Sequence, residues 1–157
     1  MEPFIAFKYL HILSMFFGVA LAISGELVLR RVAGSGDVRA IRTTVRLVKP
    51  LSGPIATALL LAGVAFGFLA ALAGQIDLLR PWLILAYLAF LAAVALGIGI
   101  TDPWVERLER AAEGSPDDRP SEALASVISD PRARAATWAL QGLIAFLVFV
   151  MVVKPFG

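Results

Sequence analysis

Four apolar runs, at about residues 4–29, 54–73, 81–100 and 135–153, constrain this chain more than any other feature. A bilayer crossing needs about 20 predominantly apolar residues, and each run has about that length. In hydrocarbon every backbone N–H and C=O must be satisfied internally, which leaves helices and closed barrels; uninterrupted runs of this kind read as helices. Composition agrees, with 59% apolar residues, 17% charged residues and a mean hydropathy of +0.84, well above a soluble composition. The start signals are local. Pro54, Pro81 and Pro131 stand at or near the first turn of a run, where the missing proline N–H costs nothing. The fold class that follows is all-α: an integral membrane four-helix bundle, one domain over residues 1–157.

Charge sets the expected orientation. Arg30, Arg31, Arg39, Arg42, Arg46 and Lys49 fall in the connection from 30 to 49, against the single acid Asp37. By the positive-inside rule this connection is cytoplasmic. The short loop near Gln75 to Arg80 is then external, the segment from 102 to 134 is cytoplasmic again, and both termini lie on the outer side. A bacterial inner membrane suits this pattern. The N-terminus reads Met-Glu-Pro-Phe, acidic where a signal peptide is basic, and the following run exceeds a signal h-region, so the first helix is expected to be retained.

Within 103–130, short interfacial helices are expected. Trp104, Val105 and Leu108 form an apolar stripe with Glu106 and Arg110 at i,i+4, residues 114–120 read as a loop, and residues 121–128 as a second amphipathic piece. Eight acids between 102 and 134 argue against a polybasic lipid-binding tail, and the net charge of +2 gives no reason to expect nucleic acid.

On a helical wheel His11, Ser14, Met15, Gly18, Ala22, Gly25 and Glu26 gather on one face of the first run, with Tyr9, Leu13, Phe16, Ala20, Ile23 and Leu27 opposite. Small residues let membrane helices approach closely. The second run offers Gly63, Gly67 and Ala71 at four-residue spacing, the third Ala89, Ala93 and Gly97. Glu26 lies about 22 Å along the helix from His11 at 1.5 Å per residue, so the two are not partners. Arg30, Arg46 or Lys49 could compensate its charge; a structural ion pair and a proton-relay or substrate site both remain open. Gln141 and Thr137 share a face of the fourth run and suit an interhelical hydrogen bond. Tyr9 and Trp82 read as interfacial anchors.

Most chemistries lack their residues. There is no cysteine and one histidine, which removes thiolate sites, zinc clusters and hydrolytic triads. Gly34-Ser35-Gly36 is too short for a phosphate loop. A single imidazole in an apolar bundle does fit haem. Met15, four residues on along the same helix, cannot take the opposite axial position.

The opening Phe7-Lys-Tyr-Leu-His-Ile-Leu13, Gly18, the basic first connection and the closing Met151-Val-Val-Lys-Pro-Phe156 resemble the predicted integral membrane family called domain of unknown function 2269. More distantly, the two ends resemble the HemJ type of protoporphyrinogen oxidase. That resemblance implies b-type haem held by a histidine of the first helix, matched by His11, and a lysine of a later helix. The third run contains no lysine, and Lys154 matches only the terminal lysine-proline signature.

Two functional readings follow. One is a non-catalytic accessory or scaffold subunit, contacting the lipid bilayer and a larger membrane complex or a second copy of itself. The other is a membrane protein that binds haem b or another hydrophobic ligand through His11.

Overall fold

The computed structural model describes residues 2–156, and among them every regular element is helical. The α-helices are α1 (Pro3–Ala33), α2 (Val38–Pro50), α3 (Ala56–Ala73), α4 (Pro81–Leu96), α5 (Asp102–Glu113), α6 (Glu122–Ile128) and α7 (Pro131–Val153). Four helical stretches, Pro3–Ala33, Val38–Ala73, Pro81–Glu113 and Glu122–Val153, are long and apolar enough to cross a membrane.

Two of these stretches run through π-helical turns, Leu51–Ile55 between α2 and α3 and Gly97–Thr101 between α4 and α5. Proline has no N–H to give to the ladder. Pro54 lies within the first turn and Pro103 two residues beyond the second, so the helix widens its register there and continues, as π-bulges allow.

The basic connection from 30 to 49 is therefore not a plain loop. Most of it is α2, because Val38, Ile41 and Val45 recur at helical spacing and are each 1% exposed. Gly36, at a φ of 72°, makes the turn that precedes it. Asp37 then caps the new helix by accepting the Ala40 N–H at 3.0 Å.

Backbone contacts divide the chain into two compact units, Met1–Glu26 with Val48–Leu78 and Leu27–Leu47 with Leu79–Gly157. In the first, α1 and α3 interlock antiparallel in one register. Phe4 sits at Gly74, His11 at Gly67 and Met15 at Gly63; further along the direction reverses, with Leu60 at Gly18 and Ser52 at Gly25. Each pair sets a side chain into the notch left by a missing one, which is how glycine brings membrane helices close. Opposite this seam, Tyr9 and Phe16 are 59% and 65% exposed.

In the second unit the large core side chains are Trp104, Leu29, Ile41, Leu108 and Leu124, all under 2% exposed. Leu29 ends the first apolar run and the others come from α2, α5 and α6, outside the runs, so this unit carries a core of the kind water drives together. Its other seam is α4 against α7. Trp82, Leu83, Ala86 and Ala89 are buried on α4, and Ala133, Ala136, Thr137 and Val150 on α7. The expected ridge of Ala89, Ala93 and Gly97 is corrected here. A side chain at Gly97 would meet nothing within 4 Å, because that residue opens the π-helical turn. Trp82 is also not an outward anchor: it is 6% exposed, with Lys154 Nζ 5.4 Å from its ring centre.

Candidate functional site

His11 is the histidine on which any chemistry would turn, and α1 and α3 position it. Its Nδ1–H donates to the Gly63 carbonyl at 2.7 Å; a carbonyl only accepts, so this bond places the proton on Nδ1. One turn further along α3, a Cβ on Gly67 would fall 2.8 Å from the same nitrogen. The ring therefore lies against bare backbone, and Gly67 is small because His11 needs the space. Met15 packs one turn along α1, with its sulfur 2.5 Å from where a Gly63 Cβ would stand.

Three hydroxyls of the apolar stretches bond to the backbone of their own helices. Ser24 donates to the Ala20 carbonyl at 2.6 Å, Ser52 to Val48 at 3.1 Å, and Thr137 to Ala133 at 3.0 Å. Glu26 is buried at 5% exposure, on the same helix as His11 but fifteen residues on, so the two form no site. Gln141 is half-buried on α7.

Arg30 shares the Ala133 carbonyl with Thr137, donating at 2.6 Å, and its guanidinium carbon lies 4.3 Å from the centre of the Trp104 ring. That ring is 1% exposed, and its indole N–H donates to the Val127 carbonyl at 2.9 Å. Arg30 is thus a cation stacked on a fixed aromatic face.

A further polar cluster closes the end of α5. Arg42 donates to the Ala112 carbonyl at 2.8 Å and to the Ser115 carbonyl, and pairs with Asp117 at 2.5 Å; Arg39 reaches the same carboxylate at 3.0 Å. The arginine satisfies carbonyls that a helix C-terminus leaves open. The Arg42 hydrogen bond, followed by that of Arg39, holds the Asp117 carboxyl below the usual aspartate range. Asp130 accepts from Arg107 at 2.8 Å and from the backbone N–H groups of Arg132 and Ala133. In the amino-acid order Arg42 counts only as one basic residue of a connection and Trp104 only as part of an apolar stripe; the tie to Asp117 and the stacking under Arg30 are not visible there. Only the apolar spacing of α2 and α5 hinted at them, since a tie between residues 75 positions apart leaves no local signal.

For haem, the donor set can be tested directly. His11 spends Nδ1 on Gly63, leaving Nε2 as its one ligating atom; Met15 is seated against α3; the third run has no lysine. These residues do not make up a paired axial set. Among the described residues no three or more His, Asp or Glu side chains converge to hold a metal ion.

Four bilayer-length apolar helical stretches define an α-helical polytopic membrane protein. The chain belongs to the family described as Predicted integral membrane protein (DUF2269), whose model matches residues 5–155. No match was found among curated proteins or solved structures.

Proposed function

We propose that this protein is a non-catalytic scaffold or accessory subunit of a bacterial inner membrane, with both termini on the outer side. One observation supports this most: His11, the one histidine, is used to tie α1 to α3 through the Gly63 carbonyl, while Ser24, Ser52 and Thr137 bond within their own helices. Only 17–22% of the residues in the apolar windows are buried within the chain, which leaves wide apolar flanks for lipid, a larger complex or a second copy.

A second reading is favoured by one detail. An Nδ1–H bond to a backbone carbonyl is also the orientation that metal-ligating histidines use, with Nε2 presented outward. In that reading Nε2 of His11 is the sole protein ligand of a haem b or the contact for another hydrophobic ligand, and the haem would supply redox chemistry.

Purification in mild detergent from haem-replete cells, with absorption spectroscopy and native mass measurement, separates the two. The scaffold reading expects a colourless protein whose mass is a whole number of chains or includes a stoichiometric partner. A Soret band, lost in a folded His11→Ala variant, would overturn it.

A further inference from the structure

We propose that the open groove lined by Arg30, Ala33, Trp104, Ile128, Ser129 and Arg134 is a binding site for a phosphate anion, carried on a lipid headgroup or free in solution. The groove lies wholly within the compact unit of Leu27–Leu47 and Leu79–Gly157. It measures about 330 Å³, at the lower end of small-molecule sites and about ten times the share of one water molecule.

The walls divide by chemistry. Ala33, Trp104 and Ile128 give an apolar floor, Arg30 and Arg134 give two guanidinium groups, and none of the lining residues is acidic. Asp130, next to Ser129, is turned to Arg107 and to the first N–H groups of α7. Arg30 is held at the groove wall by Trp104 and the Ala133 carbonyl, one turn after the buried Glu26, so its guanidinium is fixed but already engaged, and the charge a ligand meets first is that of Arg134. Arg134 is exposed and makes no ion pair among the described residues. Guanidinium groups match phosphate oxygens in a two-pronged geometry that an ammonium lacks.

Position along the chain adds the source. Arg30 directly follows the apolar run that ends at Leu29, and Arg134 directly precedes the run that begins at Ala135. Both therefore stand where a membrane segment meets the headgroup layer, the depth at which anionic lipids attract arginine. A second cavity, lined by Arg42, Val45, Arg46, Glu109 and Glu113, measures about 10 Å³ and sets two arginines against two glutamates.

The test uses the full chain in mild detergent. Native mass spectra are recorded with phosphatidylglycerol and with phosphatidylcholine, and melting is measured with and without millimolar inorganic phosphate. Arg134→Gln is the variant, because its exposed side chain can be replaced without opening a core, and Arg119→Gln in the 114–120 loop controls for net charge. Retention of phosphatidylglycerol over phosphatidylcholine identifies a lipid headgroup; stabilisation by phosphate alone identifies a free anion. In either case Arg134→Gln should weaken the effect about tenfold, the scale of a charge-assisted hydrogen bond, and Arg119→Gln should not. Absence of both effects, or equal weakening by the two variants, would overturn the proposal.

Discussion

The imidazole of His11 occupies the space that a side chain on Gly67 would need, with Nδ1 2.8 Å from the site of the missing Cβ. The same nitrogen is bonded to the Gly63 carbonyl one turn away. A polar ring in an apolar seam is thereby tied to the backbone of the facing helix. In lipid there is no water to take over such a bond, so the pairing sets both the separation and the register of α1 and α3.

Gly67→Leu should therefore force the two helices apart, while Ala20→Leu, on the exposed side of α1, should be tolerated. Overpacking of a close seam costs about 1 to 3 kcal/mol, enough to lower a detergent melting temperature by several degrees. Equal sensitivity of the two variants would mean that the faces are wrongly assigned.

Much of this seam is legible in the amino-acid order, since spacing alone places His11, Met15, Gly18 and Gly25 on one face and Gly63 and Gly67 on another. The pairing of particular residues is not, because register depends on the sizes of side chains from both helices. Charge also misdirects the reading of residues 30–49. Six basic residues suggest a solvated connection, yet Val38, Ile41 and Val45 bury a full helical stripe beneath them. Gly97 misleads in the opposite way: its four-residue spacing from Ala93 looks like packing, but Pro103 downstream turns that stretch into a π-helical joint with open space beside it.

Acid should loosen the basic-side cluster. The folded-state pKa of Asp117 is lowered by Arg42 and Arg39, so its contribution is present in full above the unfolded aspartate value of about 4 and is lost as pH falls through the lower folded value. Asp117→Asn should lower the melting temperature at neutral pH, and its gap from wild type should close as pH drops below about 4. A gap that stays constant with pH would show that the carboxylate charge contributes nothing.

Topology follows from the six basic residues between 30 and 49. Reporters fused at either terminus should read as external, and reporters inserted near Gly36 or Gly114 as cytoplasmic. A cytoplasmic C-terminus would contradict four crossings with both ends outside.

The most direct measurement is a double-mutant cycle between His11 and Gly67, read as thermal stability in one detergent. His11→Ala removes the ring and its hydrogen bond to the Gly63 carbonyl, which keeps its own helical N–H, and should cost about 0.5 to 1.5 kcal/mol. If the imidazole fills the Gly67 notch, truncating it makes room for a larger side chain there. The double variant His11→Ala with Gly67→Leu should then lose clearly less stability than the two single losses combined, by at least about 0.5 kcal/mol, beyond the additivity expected of independent sites. Simple additivity would contradict the account, because it would mean that His11 does not sit against Gly67 and is not the residue that holds these helices together.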